Sequence, residues 1–516
     1  MRVERTSSLV SRVTDGAIIV ILAAFTLAVR YLTLEEVEGG GDALASWYFV
    51  RQWIHGVDFA TLTWDHHTAR FGINIPVYVV QRLLGSHATT YYVAPVTACV
   101  VAVVFTYKIA RDLSGPYAGV LAGLSLAVFP PMERAGSQLL PGVFAAAYVS
   151  FASYAVLRYW RSNHHGMRWI LAGAVAMFLA YLSHEPTVFF LPGLAYGIWL
   201  YRRSWRAGLA FGGALAALLL LEKLWYIAFT QYASRIAVTL SQHGPGLVSG
   251  LSSSGQSDVW TLFDRFDRSL ETSWKLALFG FMTAGPALLA LGPRRARGPT
   301  LGAMGFLVGV TFAVNSLDPL TAWLSFQSRY WVPVAPLAMA ANSVVIVAGA
   351  REFLRGFERY RVGGNGLPLL FTLLCTLSLG WVYAYGLKGR LPSESGWVGT
   401  RRKAESFAET FQRGLPFTGA NEAGLKAVRL AVGVYLPDQL LAHEGKLPRL
   451  EDVIHVVDGH LHWFAKDTPE GAFQTRAILD QNQQCQYRMA IKGRFLAISP
   501  GLSLPSDCTK ASFEVR

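Results

Sequence analysis

Long apolar runs separated by short polar segments fill the first three quarters of the chain. Most of these runs approach the roughly 20 residues that a helix needs to cross a bilayer. The pattern predicts an all-α polytopic membrane protein with about 11 transmembrane helices. The predicted spans are residues 16–34, 88–110, 115–131, 139–158, 168–183, 186–201, 207–230, 273–292, 299–316, 330–350 and 366–387.

Every second gap between these runs is rich in arginine or lysine. After the basic N-terminus, the basic gaps contain Lys108/Arg111, Arg158/Arg161/Arg168, Arg202/Arg203/Arg206, Arg294/Arg295/Arg297 and Arg351/Arg355/Arg359/Arg361. Short basic loops stay in the cytoplasm during insertion, so the N-terminus is expected inside and the other gaps outside. An odd number of spans then places the tail from residue 388 outside as well.

The charge content supports this interpretation. Only 15% of the 516 residues are charged, whereas a soluble domain has about 25%. The net charge of +13 comes from the predicted inner loops, where topology and anionic membrane lipid explain it. We therefore expect a multi-pass protein of the inner (plasma) membrane, with membrane lipid and no nucleic acid among its partners. An acidic stretch follows the first run, which predicts a retained anchor and not a cleaved signal peptide.

Three predicted outer segments are long. Residues 35–86 contain two helical patterns, 43–55 and 72–84, that suit helices lying at the membrane interface. Residues 231–273 are rich in Gly and Ser and are expected to form a mobile loop. The tail, 388–516, contains alternating runs at 452–457, 461–464 and 495–498 that are typical of strands. We predict a transmembrane domain over 1–387 and a small extracytoplasmic α+β domain over 388–516.

The four cysteines divide between these two domains. Cys99 and Cys375 lie in apolar runs and are expected to be packing residues. Cys485 and Cys508 lie in the tail. An oxidising outer compartment would let these two form a disulfide.

The predicted first outer loop has two polar motifs. Asp42 follows three glycines, and a carboxylate there could serve a site, cap the next helix, or do both. The segment Trp64-Asp65-His66-His67, with Arg70 close behind, could bind a metal, contact an anionic headgroup, or be a solvated loop. Asp42 and His66 are the candidate ligands of a divalent metal ion.

Three further motifs lie at the outer ends of predicted spans, and a fourth lies within a span. Glu133-Arg134 could be a plain ion pair. Glu222-Lys223, within an otherwise apolar span, could be an internally satisfied pair or lie near the membrane edge. His184-Glu185-Pro186 separates two short spans, where ionisable groups are costly and suggest a binding role, although a Pro-terminated turn with Glu185 exposed at the surface is the alternative. Arg329-Tyr330 opens a span with two prolines, and an arginine there can meet a phosphate.

In this order and topology, the motifs resemble integral membrane glycosyltransferases of the GT-C class. Within that class they resemble the protein O-mannosyltransferases and the bacterial lipid A aminoarabinose transferases. The resemblance is carried by Asp42 after the first span, by His67…Arg70-Phe71-Gly72…Pro76…Leu84-Gly85, by Ala110-Arg111-Asp112-Leu113-Ser114-Gly115 leading into 118–129, and by Arg329-Tyr330…Pro333…Pro336.

The resemblance implies a GT-C-like fold and inverting transfer of a hexosyl or pentosyl group. The donor would be a polyprenyl-phosphate sugar, and the acceptor a lipid, glycan or protein hydroxyl on the outer face. Asp42 would be the base, and Arg329, with Arg70 in reserve, would contact the phosphate. The expected substrate-binding residues are Arg70, His67, His184, Glu185, Arg329 and Tyr330.

The chain departs from the family pattern at three places. Ala43 stands where many relatives have a second acid. Residues 139–144 lack an aspartate that many relatives have, and Glu133 is expected to replace it as a second catalytic acid. His184-Glu185 stands where relatives often have lysine. Two other functions stay open: a transporter or flippase of a lipid-linked intermediate, and an inactive relative that acts as an assembly subunit.

Overall fold

A computed structural model describes residues 2–34, 42–56, 68–86, 88–161, 166–200, 204–230, 232–238, 272–316 and 328–358, together with four strands between 454 and 497. The chain divides into two compact units. The first contains Met1–Leu34, Trp64–Ile73 and Ala94–Leu391, and the second contains Glu35–Thr63, Asn74–Val93 and Pro392–Arg516.

The described part is almost entirely helical. In chain order the helices are α1 (Arg2–Leu32), α2 (Asp42–Ile54), α3 (Phe71–Leu84), α4 (Ala88–Tyr91), α5 (Val93–Ser114), α6 (Pro116–Ala127), α7 (Pro130–Ser137), α8 (Pro141–Arg161), α9 (Gly166–Ser183), α10 (Leu191–Leu200), α11 (Trp205–Phe229), α12 (Thr272–Ala290), α13 (Arg297–Ser316) and α14 (Ala335–Glu358). Short 3-10 segments cover Glu185–Phe190, Arg294–Ala296 and Ser328–Val334. Proline opens α6, α7 and α8, where its fixed φ suits the first helical turn.

Each of the first ten predicted spans contains one of these helices. By length and composition, five described helices can cross a membrane, or six if α7 and α8 together form a broken span. A multi-pass membrane protein is thus confirmed, but eleven spans are not. The eleventh predicted span, 366–387, lies outside the described residues.

In the second unit, α2 packs on the later part of α3 and on α4. The Gln81 amide donates to the Trp47 carbonyl at 2.8 Å, and Arg51 donates to the Ser86 carbonyl at 3.1 Å. The Trp47 ring meets Tyr91 edge-on. The two helices predicted in this loop are therefore present, and they are joined by hydrogen bonds to main-chain carbonyls.

The described strands form two antiparallel hairpins. β1 (Ile454–Val457) pairs with β2 (His460–Trp463), and β3 (Arg488–Ile491) pairs with β4 (Arg494–Ala497). Three of the strands lie at the runs that predicted them, whereas β3 was not predicted. A C-terminal domain over 388–516 stays a prediction.

In the first unit, α10 crosses α13 with the two backbones in contact. A Cβ atom added to Gly298 would lie 2.5 Å from the Cα of Gly197, and one added to Gly193 would overlap the backbone of Gly302. Such spacings of small residues let membrane helices approach closely. This contact fixes the position of the chain just before α10, which carries the candidate site.

The arginine-rich gaps of the first unit meet at one end of its helices. Arg161, at the end of α8, donates to Asp112 in the last turn of α5 at 2.7 Å. Arg295 donates to the Leu113 carbonyl at 3.5 Å. Three predicted inner gaps therefore share one face. Which side of the membrane this face occupies stays a prediction.

Candidate functional site

The chain breaks between α9 and α10 at His184-Glu185-Pro186. The His184 N–H still donates to the Ala180 carbonyl at 2.8 Å, and the His184 carbonyl accepts from the N–H and hydroxyl of Thr187 at 3.1 and 2.9 Å. His184 itself is buried. The turn therefore holds His184 and Glu185 against the helices, and the alternative of an exposed turn does not apply to His184.

Glu185 forms an ion pair with Arg235. Glu185 Oε1 accepts from Arg235 Nη2 at 2.6 Å, while Nη1 of the same arginine donates to the Tyr181 carbonyl at 2.6 Å. The guanidinium also lies 5.4 Å from the centre of the Tyr181 ring. The Arg235 side chain is only 2% exposed, whereas that of Glu185 is 37% exposed. The arginine is thus fixed from two sides, whereas the carboxylate is partly exposed.

The charges around Glu185 keep it ionised. Burial raises the pKa of this carboxyl, but the nearby charges of Arg235 and Arg70 oppose that effect and lower the pKa to about 2. Arg70 is itself buried. The structure therefore brings together three predicted residues, Arg70, His184 and Glu185, and adds Arg235 to them. We call these four residues the outer charged cluster, after the side of the membrane that the sequence predicts for them.

Arg70 is held in this cluster by its neighbours in the chain. The Ala69 carbonyl accepts from the Tyr226 hydroxyl at 3.4 Å, and the Phe71 ring meets Trp225 edge-on at 4.8 Å. The Gly72 carbonyl accepts from Tyr148 at 3.0 Å. A Cβ atom on Gly72 would overlap α9 at Ser183, so glycine is needed there. The motif around Arg70 therefore docks this segment onto α8, α9 and α11.

An apolar cavity of about 430 Å³ lies beside the cluster. Such a volume is within the range of small-ligand pockets. α9, the 3-10 segment, α10, α11 and residues 234–236 provide its wall. The lining residues are Met177, Phe178, Tyr181, Val188, Leu191, Leu215, Leu219, Glu222, Lys223, Ser234, Arg235 and Ile236. Its surface is thus mostly hydrocarbon, with charged groups gathered at Glu222, Lys223 and Arg235.

Glu133 has a different set of neighbours. It is buried in the first turn of α7, and Arg30, near the end of α1, is buried close by. Arg30 donates to the Ala127 carbonyl, and its Cδ lies 3.2 Å from the position of a Cβ on Gly136, which also adjoins Cys99. Both the Arg30 and Glu133 charges act on Cys99. A carboxylate and a guanidinium are thus buried together where α1, α5 and α7 meet.

The remaining predicted site residues are less fully described. Asp42 begins α2, but its side chain lies outside the described part, as do those of Arg329 and Tyr330 in the 3-10 segment Ser328–Val334. His66, His67, Cys485 and Cys508 also lie outside the described residues. Among the residues that the structure describes, no group of three His, Cys, Asp or Glu side chains is arranged to hold a metal ion.

Arg235 and Arg30 are the residues that the sequence analysis missed. Arg235 falls in the segment expected to be a mobile loop, where the apolar residue Val238 on its C-terminal side could have indicated a buried position. Arg30 lies inside the first predicted span. An ionisable residue at that depth is a functional candidate by default, and this signal was present in the sequence.

Part of the chain is similar to a known protein family. Residues 77–226 match the model of the family described as dolichyl-phosphate-mannose-protein mannosyltransferase. This segment includes Glu133, His184, Glu185 and most of the cavity wall. No curated protein matches the chain.

Two solved membrane proteins have a similar structure. ArnT from Cupriavidus metallidurans bound to undecaprenyl phosphate has a TM-score of 0.50 and 15% identity, over 80% of this chain and 84% of that one. The apo oligosaccharyltransferase of Archaeoglobus fulgidus has a TM-score of 0.43 and 13% identity, and the match covers 78% of this chain but only 58% of that one. At these identities the likeness to ArnT shows the fold alone. The predicted resemblance to the GT-C class is confirmed.

Proposed function

We propose that this protein is a membrane glycosyltransferase that moves a sugar from a polyprenyl-phosphate donor to a lipid, glycan or protein hydroxyl. The observation that carries the proposal is the 430 Å³ cavity, which combines a hydrocarbon wall with three charged lining residues, Glu222, Lys223 and Arg235, that we call the charged rim. A polyprenyl phosphate has the same two parts. The family match over residues 77–226 supports the same substrate class.

The cavity suits a ligand that arrives through the bilayer. Three residues of its wall, Val188, Leu219 and Ile236, are 44%, 42% and 56% exposed, so the wall continues onto the outside of the helices. α11, which provides Leu219, has only 11% of its apolar stretch buried. A prenyl chain could enter from the lipid and replace one hydrocarbon contact with another, at little cost in free energy.

The charged rim would orient the phosphate. Lys223 is exposed on the rim, and an ammonium group there can pair with a phosphate oxygen. Arg70 and Arg235 add positive charge that is already fixed before the ligand binds, which favours an anion without further ordering of side chains. His184 and Glu185 offer hydrogen-bonding groups to the sugar. Arg329 and Tyr330 are proposed as a second contact to the phosphate, on the family resemblance.

The reaction we propose is a single displacement with inversion. The acceptor hydroxyl oxygen attacks C1 of the sugar, and the bond between C1 and the phosphate oxygen breaks. The electron pair leaves with the polyprenyl phosphate, whose negative charge the rim cations stabilise. Asp42 is proposed to accept the proton of the hydroxyl. Glu133 is proposed as the second acid, held by its burial with Arg30.

The site is proposed to act on the outer side of the inner (plasma) membrane. The arginine-rich face would then lie in the cytoplasm with the N-terminus. Residues 388–516 would form a small domain in the periplasm. This arrangement places the polyprenyl donor, a membrane acceptor and the cavity in the same leaflet.

The test is a transfer assay with purified protein in liposomes that contain polyprenyl-phosphate sugars and membrane acceptors. Wild type should produce a glycosylated acceptor, and Asp42→Asn should lower the rate by two orders of magnitude or more, as for loss of a general base. Transfer that survives Asp42→Asn would remove Asp42 as base. Lipid translocation without transfer would support a flippase, and binding with neither activity would support an inactive assembly subunit.

A divalent metal held by Asp42 and His66 is a separate proposal. Chelation with EDTA should then abolish transfer, and an added divalent ion should restore it. Transfer that is unchanged after chelation would exclude this role for the metal while leaving the rest of the proposal intact.

A further inference from the structure

A second, dense group of charged residues lies in the first unit at the end of its helices where the arginine-rich gaps meet. Asp112, in the last turn of α5, is 2% exposed, and its Oδ1 accepts from Arg161 Nη1 at 2.7 Å. Arg161 also donates to the Asp112 carbonyl at 2.8 Å. Arg111 Nη1 lies 3.7 Å from the same carboxylate. This carboxylate is therefore already shared by two arginines.

A second carboxylate in this region also accepts hydrogen bonds from its neighbours. Asp15, on α1, accepts from Arg111 Nε at 2.8 Å and from the Tyr107 hydroxyl. Arg111 thus bridges the two aspartates and ties α1 to α5.

The cations exceed the carboxylates. We call Lys108, Arg111, Arg158, Arg161 and Arg295 the arginine cluster; Asp112 lies within electrostatic reach of all four of its arginines, and Lys108 within reach of both aspartates. Five positive charges and two negative charges leave a net charge of three. Burial and the charge of Arg161 lower the pKa of Arg295, as expected where positive charge is in excess.

Two members of the cluster retain hydrogen-bonding capacity in fixed positions. The Nε atoms of Arg158 and Arg295 are buried and have no hydrogen-bond acceptor among the residues that the structure describes. The Arg158 guanidinium lies 5.7 Å from the centre of the Trp169 ring, and Lys108 lies 5.3 and 5.4 Å from the rings of Phe105 and Tyr154. These rings hold the cations in place, unlike the freely moving side chains of a basic loop.

The position of the cluster matches that of a lipid headgroup. α5 and α9 are both long and apolar enough to cross the membrane. The cluster lies at the C-terminal ends of α5 and α8, and the Trp169 ring beside Arg158 is in the first turn of α9. Aromatic residues at this level are typical of the membrane interface. A general preference for basic inner loops explains the sign of the charge, but it does not require buried N–H groups at fixed positions.

We propose that the arginine cluster is a binding site for the phosphate of an anionic phospholipid. The phosphate accepts hydrogen bonds from Arg158 and Arg295, and its charge offsets the excess positive charge. The acyl chains follow the apolar surfaces of α5 and α9. This site is distinct from the outer charged cluster, and it does not depend on sugar transfer.

The test measures phosphatidylglycerol binding by native mass spectrometry of the purified full-length protein, with phosphatidylcholine as the neutral comparison. Wild type should retain phosphatidylglycerol selectively. The double variant Arg158→Gln/Arg295→Gln removes two cations that pair with neither aspartate, so the Asp15 and Asp112 contacts should persist. The affinity of the double variant for phosphatidylglycerol should be about thirtyfold lower than that of wild type, and the affinity of each single variant about fivefold lower. If the double variant does not fold, the two single variants decide the question.

Arg206→Gln is the matched control. Arg206 is exposed at the start of α11, and its guanidinium lies 5.8 Å from the Trp205 ring, so the substitution removes one arginine that is stacked on a tryptophan. This variant should bind phosphatidylglycerol like wild type. An equal loss of phosphatidylglycerol affinity in Arg206→Gln and Arg158→Gln would overturn the proposal in favour of non-specific attraction between the lipid and basic residues. Competition by inorganic phosphate at equal concentration would show a free-phosphate site and would overturn the lipid assignment.

Discussion

At the scale of single residues, the outer charged cluster depends on one well-placed arginine. Arg235 joins Glu185 to the Tyr181 carbonyl and is almost completely buried. A buried guanidinium that loses its carboxylate is left with uncompensated charge, which is costly in a protein interior. Glu185 should therefore contribute both to the stability of this region and to the shape of the cavity rim.

Glu185→Gln should lower the free energy of unfolding at neutral pH by about 1–2 kcal/mol. This is the magnitude of a charged hydrogen bond, reduced because the Glu185 side chain is partly exposed. The folded-state pKa of about 2 lies below the ordinary 4.5, so the contribution of Glu185 is complete above pH 4.5. It declines as the pH falls from 4.5 towards 2. Thermal unfolding of wild type and variant in detergent, from pH 3 to 8, measures this difference.

Glu222→Gln provides the matched control for this prediction. Glu222 also lines the cavity, but its Oε1 has no hydrogen-bond partner among the described residues. The substitution should not lower stability at neutral pH. A stability difference between wild type and Glu185→Gln that stays constant down to pH 3 would contradict the assigned ion pair.

At the scale of helices, the contact of α10 with α13 sets the geometry of the site. Gly193 and Gly197 face Gly302 and Gly298, and a Cβ atom on Gly193, Gly197 or Gly298 would overlap the facing backbone. The 3-10 segment that carries Glu185 leads directly into α10. A shift of α10 away from α13 would therefore move one wall of the cavity.

Gly302→Val should destabilise the protein by several kcal/mol, because its side chain would meet the Phe190 carbonyl and ring and the Leu194 side chain. The measurement is the thermal unfolding midpoint together with the yield of monodisperse protein. Gly212→Ala on α11 is the control, since nothing lies within 4 Å of a Cβ there. Its stability should be unchanged or slightly raised. Equal effects of the two substitutions on the thermal unfolding midpoint would mean that α10 and α13 do not pack as described.

Much of the helical structure could be predicted from the sequence, because apolar runs of helical length are a strong signal. All of the first ten predicted spans contain helices, and α2 and α3 were predicted within two residues. The 3-10 segment at Glu185–Phe190 was not predicted, since its local sequence differs little from that of a turn. The predicted number of spans was not confirmed, because several of the described helices are shorter than a bilayer crossing.

The candidate site could be predicted only in part. Arg70, His184 and Glu185 were identified because charged residues near apolar runs are unusual. Arg235 was missed because it comes from a distant segment, and its contact with Glu185, 50 residues away in the chain, leaves no local pattern. Tertiary contacts of this kind decide which charged residues are paired, and hydropathy carries no information about them.

At the scale of the whole molecule, the predicted orientation has a covalent consequence. If residues 388–516 lie in the periplasm, Cys485 and Cys508 should form a disulfide. The protein denatured without reductant should then bind two maleimide groups, at Cys99 and Cys375, and four after reduction. In a Cys485→Ser/Cys508→Ser variant, the number should be two in both conditions. Four reactive thiols before reduction would contradict the disulfide and weaken the assigned orientation.

The central claim is that the protein breaks the bond between a sugar and a polyprenyl phosphate. The most direct measurement is mass spectrometry of the lipids after incubation of the donor and acceptors with the purified, reconstituted protein. The account predicts equal amounts of unloaded polyprenyl phosphate and glycosylated acceptor, both greatly reduced in Asp42→Asn. A donor that stays intact with hexosyl and pentosyl groups alike, while a folded protein still binds it, would contradict the account.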